Sequence, residues 1–412
     1  MKISAGLRPH QRMYLAAFLL DFCVMVGLTA MPFFVYDRLH GGAAMSGAIG
    51  AAQMAAYAVG CLVSSTFVSQ FRGGLKWAVS GTIVFVLLFA LVPLFRTPLL
   101  CGGMSTAAFL GLALAWPALQ AWIGAESDPR LRAHHLAWFN TASSFGFALS
   151  PLAAGPLYDW FMPLPFVLLA ATGAAVLILV VSLPEKRRLD ATRADDDARS
   201  ERQGRREAGD GRLYAAWCAT LTTGALAAVT RSVYPKRIEE LVANRQLTLW
   251  EEGGGILDAL GPATAYSWPA FVLSITMVAC YFALSKAGDR GRGTALLAGT
   301  QVLAAGAFWG LGHTHSFIVM LLCFSAVGCA FGVSFFTSLY YSLADPRLGH
   351  RRAAINEGML GFGGLAGGIA LGQLAENLGF EAALHLTPLF VAAAIALQLL
   401  LLRLFRPAVD VV

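Results

Sequence analysis

Three ionisable side chains stand inside otherwise apolar stretches of this chain: Asp21 in the run at about 12–36, Arg231 at about 213–235 and Glu357 at about 352–377. A medium that cannot hydrate charge makes such groups costly, so they usually face a cavity or a partner. There a carboxylate can take up and release a proton, and a guanidinium can grip an anion. Asp21 lies about eight residues into its run, or about 12 Å along a helix rising 1.5 Å per residue. That places it near mid-membrane, as a proton-carrying group or as a structurally paired carboxylate. Glu357 lies about one turn into its run. It reads either as part of a gate or as a partner of Arg351, Arg352 or Arg132 in the basic turns. Arg231 precedes Pro235 by one turn, and either snorkels to the nearby surface or turns inward, where it would favour an anionic solute.

Uncharged candidates accompany them. Gln53 and Tyr57 share a helix face at i,i+4, as do Trp116 and Gln120, and Tyr340 and Tyr341 are adjacent. Trp116 also fits an interfacial anchor. Seven cysteines, without a C-x-x-C pair or histidines at ligand spacing, give no reason to expect a disulfide, a metal or a cofactor. His313 and His315 read as solvated loop residues.

The elements that position these groups follow from composition. The chain of 412 residues is 57% apolar and 13% charged, too apolar for a water-soluble protein of this length. A spanning helix needs about 20 apolar residues, and twelve such runs occur, near 12–36, 44–70, 76–95, 98–125, 135–158, 163–183, 213–235, 266–285, 293–312, 315–343, 352–377 and 384–404. They are continuous and Gly/Ala-rich, which excludes the short alternating strands of a barrel. The fold class is therefore an all-α membrane protein. The first run follows Lys2, Arg8 and Arg12 but is too long for a signal-peptide core and lacks a cleavage site.

The second half repeats the first. Asp128-Pro129-Arg130-Leu131 recurs as Asp345-Pro346-Arg347-Leu348, and the same 217-residue offset pairs Gly146 with Gly363, Gly155 with Gly372, Asp159 with Glu376 and Asn140 with Glu357. Two six-helix bundles follow, 1–183 and 213–412, joined by a charged linker, 184–212. The linker carries Asp195/Arg199 and Glu201/Arg205 at helical spacing, which leaves a surface helix and a disordered tether both open. With both termini in the cytosol, 24 of the 30 Lys and Arg fall in cytosolic segments and five in external ones, the expected bias. The net charge of +6 then reports membrane orientation and calls for no nucleic acid. The segment from Lys236 to Ala265 reads as a flexible external cap.

Twelve helices, a 6+6 repeat, a charged central linker and cytosolic termini together resemble the major facilitator superfamily over essentially the whole chain. Members carry Gly-x-Leu-x-Asp-Arg-x-Gly-Arg-Arg after the second helix. The equivalent stretch here, from Phe67 to Lys76, lacks the acidic residue, while Gly288-Asp289-Arg290-Gly291-Arg292 keeps both charges. In the fifth run, Gly146-x-x-x-Ser150-Pro151-x-x-Ala154-Gly155 is similar to an antiporter motif with two glycines replaced by small residues. It equally suits any helix packed at the seam between bundles. The arginine that many drug/proton antiporters carry in the fourth helix is missing, which argues against simple proton-coupled drug efflux. The resemblance implies that the first, fourth, seventh and tenth helices line a cavity, and with them Asp21, Trp116, Gln120 and Arg231.

The expected function is secondary active transport of a small organic solute across a cell (inner or plasma) membrane by alternating access. The chain has no Walker-type ATP loop, so its energy must come from a gradient of proton, sodium or the solute itself; coupling to a proton or other ion gradient is expected, with direction leaning to efflux. The alternatives are a non-transporting receptor or scaffold on this fold, or an intramembrane serine protease built on Ser334 and His385. The protease reading would leave six helices of repeat idle.

Overall fold

A computed structural model describes residues 7–68, 74–124, 129–184, 210–249, 260–286, 293–343 and 349–405. The first six long helices are α1 (Pro9–Leu39), α2 (Ala43–Val68), α3 (Gly74–Ala90), α4 (Pro98–Gly124), α5 (Pro129–Trp160) and α6 (Leu164–Val181). Next come α7 (Asp210–Ala228), a π-helical turn (Val229–Val233) and α8 (Tyr234–Ala243), which together form the seventh crossing. The last five are α9 (Pro262–Lys286), α10 (Thr294–His313), α11 (Phe317–Leu343), α12 (Gly349–Leu378) and α13 (Phe380–Leu404). Among the described residues, eleven crossings are long and apolar enough to span a membrane. The twelfth long helix, α5, is more polar because it carries His134, His135, Asn140, Ser143 and Ser144. All twelve expected runs are thus helical, and this is an all-α, multi-pass membrane protein.

Helix ends are locally encoded. Pro9 occupies the first turn of α1, where its missing N–H costs nothing, and the Arg8 amide donates to Gln11 Oε1 at 2.9 Å. At the other end His40 adopts a left-handed conformation, φ 53°, and the N–H of Gly41 after it bonds the Val35 carbonyl at 3.0 Å. That stop turns the chain into α2 within three residues.

Each half packs as a unit. In the N-terminal half, Arg12 Nη1 donates to the Ser182 carbonyl at 3.0 Å, joining α1 to the end of α6, and Trp122 Nε1 donates to the Pro184 carbonyl at 2.9 Å. Residues at the start of α7 lie against the end of α13, at Leu401 and Phe405. With no hydrophobic effect between helices in lipid, small residues decide close approach. A Cβ on Gly146 would collide with the Phe18 carbonyl of α1, and a Cβ on its repeat partner Gly363 with the Leu221 carbonyl of α7. The two halves therefore use the same packing device at the same place.

The bundles meet along two seams, α2 against α12 and α5 against α9. At the first, Gly47 lies against the Gly368 backbone and Gly372 against Ala43; at the second, Gly155 lies against Ala263 and Ser267. The two seams share one end, termed distal, where α1 and α5 finish and α2 and α9 begin, and the first continues past mid-helix, with Gly361 against Met54 and Ala58. At the opposite, proximal end, where α1 and α7 start, the described hydrogen bonds stay within one bundle, as in Trp217 Nε1 to Ser342 Oγ at 2.9 Å.

Two expectations change. The segment after Lys236 is not all loop: α8 runs to Ala243, and Thr248 pairs with Ser316 in an isolated bridge. Pro262 already begins α9. The linker from 185 to 209, Asp128 of the first Asp-Pro-Arg-Leu turn, the whole of the second, and Gly288–Arg292 lie outside the described residues.

A charged cluster between the bundles

Pro235 shapes the centre of the molecule. Proline lacks the N–H that would bond four residues back, and here the helix answers with a π turn, Val229–Val233. Such turns leave carbonyls that must find partners where water is scarce. Tyr36 of α1 donates to the Ser232 carbonyl at 3.1 Å, and Tyr266 of α9 donates to the Thr230 carbonyl at 3.0 Å. The first of these bonds crosses between bundles.

Arg231 sits in this turn. Because the helix continues to Ala243, it lies deeper than its spacing to Pro235 suggested, and it turns inward rather than snorkelling. Its guanidinium carbon is 4.8 Å from the Phe147 ring centroid, on α5 of the N-terminal bundle, and 5.7 Å from that of Phe331, on α11 of the other. Nη2 is buried without a hydrogen-bond partner.

Asp21 and Glu357 complete the cluster. The Asp21 carboxylate accepts from the Ser143 hydroxyl of α5, and its charged neighbours are Glu357 and Arg231. Since α1 begins at Pro9, Asp21 is about 18 Å along the helix, still central. Glu357 is farther from its helix start than expected, because α12 begins at Gly349. Its surroundings are Tyr57 and Cys61 of α2, Tyr281 of α9 and Asp21. The side chains of Arg132 and Arg351 lie outside the described residues.

Other sequence candidates divide. Gln53 is buried with Nε2 unpartnered, one turn from Tyr57 and nearer the distal end. Asn140 is exposed, on the α5 face that presents Ser143 to Asp21 and Phe147 to Arg231, one turn nearer the proximal end. Trp116 packs edge-on against Phe139 at 5.5 Å, and Gln120 is exposed; no described contact joins either to the cluster. Tyr340 and Tyr341 pack against one another at 5.5 Å. In the Gly146–Gly155 motif, Ser150 donates to the Phe147 carbonyl at 3.1 Å, Pro151 and Ala154 are buried, and the glycines touch α1 and α9. Its visible work is packing.

The serine protease alternative finds no dyad. Ser334 Oγ is buried and unpartnered, whereas His385 Nε2 pairs with His313 Nδ1 at 2.8 Å and stacks on Trp309. His313 is thus engaged rather than simply solvated. With Glu381 these histidines place one ligand atom each within 4.8 Å of one another, at the distal surface. The sequence missed Ser143, Phe147, Tyr281 and Phe331. Ser143 and Phe147 were within reach, since they follow Asn140 at helical spacing.

Two six-helix bundles meeting around mid-membrane charges define a transporter architecture. The Major Facilitator Superfamily pattern matches residues 13–250, and the chain belongs to that superfamily. No curated protein is a significant match by sequence. Among solved structures, the nucleoside transporter NupG is similar with a TM-score of 0.75 at 11% identity, covering 96% of this chain and 100% of that one. A bacterial homologue of the human lysosomal transporter Spinster, inward-facing and unoccupied, gives 0.74 at 13%, covering 97% and 98%. The peptide transporter POT in complex with sulfate gives 0.74 at 14%, covering 98% and 95%. At these identities the likeness is one of fold.

Proposed function

We propose that the protein is a secondary active transporter of a small anionic organic solute, with Asp21 and Glu357 as the groups that exchange protons with the driving gradient. One observation carries this reading: Asp21 lies within electrostatic reach of both Glu357 and Arg231, the three come from helices of both bundles, and among the described residues the arginine keeps an unfilled donor. A cation held between aromatic faces with a free N–H is a site for an anion's oxygen. Carboxylates beside it let protonation change the charge that the anion meets.

The basic-residue bias supports cytosolic termini in a cell membrane, so the proximal end would face the cytosol and the distal closure would make this an inward-facing state. The Spinster homologue described as inward-facing has a similar fold. Direction of net transport leans to export through the likeness of the fifth helix to the antiporter motif. The test is flux in proteoliposomes under an imposed pH gradient, with organic anions and their neutral counterparts as cargo. Anion flux that follows the gradient supports the proposal. Flux of neutral counterparts equal to that of the anions, or anion flux unchanged in an Arg231→Met variant, removes the anion assignment, and absence of flux for every solute leaves a receptor or scaffold.

A further inference from the structure

The two helices that the repeat pairs, α5 and α12, end in carboxylates that reach out of their own bundle. Asp159, near the end of α5, accepts from the Ala263 amide at 3.2 Å through Oδ1 and from the Thr264 amide at 2.7 Å through Oδ2. Glu376, near the end of α12, accepts from the Ala44 amide at 3.3 Å through Oε2. Ala263 and Thr264 lie in the first turn of α9, and Ala44 in the first turn of α2. Those amides have no partner within their helix and form the positive end of its dipole. A helix ordinarily supplies its own cap from the residue before it. Here that residue is glycine in both cases, Gly261 and Gly42, and a Cβ on either would collide with the incoming carboxylate. Each helix start is thus left uncapped by its own bundle and capped by the other.

We propose that Asp159 and Glu376 are a pair of pseudo-symmetric latches, positioning residues that hold the distal ends of the two bundles together and release together when the protein opens there. The proposal rests on the reading that the bundles rock as rigid bodies. The two caps cross the two seams, so a rocking motion that parts one parts the other. Formation of either cap holds the second pair of groups in place, which makes the second an intramolecular event.

Amide hydrogen exchange in the first turns of α2 and α9, in reconstituted full-length protein, separates a latch from a local cap. Asp159→Ala is expected to speed exchange at α9, and also at the first turn of α2 on the other seam. Glu376→Ala is expected to do the reverse. Each effect should be roughly threefold to thirtyfold, the population change that loss of one helix cap produces. Asp159→Asn, which keeps one acceptor oxygen but sets an NH2 against the other amide, should restore part of the protection. Acceleration confined to the mutated seam overturns the latch. A wedge, Gly372→Ile, placed where Ala43 is closest, tests the rocking itself: it should loosen α9 as well as α2. If the wedge crosses and the alanine variants do not, only the latch fails. If the wedge also stays local, the rigid-body reading fails and the latch with it.

Discussion

At the scale of single residues, this protein places two carboxylates and one guanidinium in a space where each is costly, without joining any of them in a close ion pair among the described residues. Asp21 is steadied by Ser143, and Arg231 by two aromatic faces. Asp21→Asn keeps a hydrogen-bonding group beside Ser143 and removes the titratable proton. The expected outcome is a folded protein that exchanges cargo across the membrane but no longer accumulates or expels it along a pH gradient. Full gradient-driven flux in that variant would remove Asp21 from the coupling. Arg231→Met keeps a long apolar side chain at this position and loses the guanidinium that lies over Phe147 and Phe331. In a thermal-shift screen, organic anions should stabilise wild type by up to about 2.7 kcal/mol at a hundredfold excess over their dissociation constant. The variant should lose that response; a variant stabilised as strongly would show that the anion sits elsewhere.

At the scale of helices, approach is set by glycines at matched places. Gly146 and Gly363 each face a backbone carbonyl, of Phe18 and Leu221, with no room for a methyl group. A backbone atom cannot step aside as a flexible side chain can, so Gly146→Ala and Gly363→Ala should each destabilise by about 1–3 kcal/mol, the usual cost of overpacking. Gly299 and Gly306 have open space around the same added atom. Alanine there should be neutral, or stabilising by up to about 1 kcal/mol through helix propensity. Melting of the four variants in one detergent is the check. Equal melting temperatures would mean that close approach is not what the paired glycines supply. The seventh crossing shows the converse case, where the helix takes a π turn just before Pro235 and tyrosines from α1 and α9 bond carbonyls of that turn.

At the scale of the whole molecule, the described cross-bundle hydrogen bonds lie at the distal end and around the cluster. The chain is therefore expected to admit water from the proximal end. Asn140→Cys, on the α5 face that leads to the cluster, should react with an impermeant thiol reagent only from the side of the N-terminus. A cysteine at Gly204 should share that side, and one at Gly254 should react only from the opposite side. Reaction of Asn140→Cys from the Gly254 side alone would reverse the reading of which end is open. Spin labels at 140 and 357 extend the test, since their separation should change when cargo or a pH step shifts the bundles.

The sequence by itself determined the twelve crossings, the helical class and the duplication. Each is a matter of local composition or of direct comparison along the chain: about 20 apolar residues suffice to span a bilayer, and a repeat at constant offset needs no coordinates to be seen. It also named Asp21, Arg231, Glu357, Tyr57 and Gln53, because charge and amide groups stand out against an apolar background. Only the tertiary structure decided which of them meet. Trp116 and Gln120 share a helix face as Gln53 and Tyr57 do, yet helix rotation leaves Trp116 packed on Phe139 and turns Tyr57 towards Glu357. The inward course of Arg231 depended on how far the helix runs past Pro235, and the pairing of Asp159 and Glu376 with foreign helix starts on how two bundles dock. Both are set by contacts between segments far apart in the chain, and no window of neighbouring residues contains them.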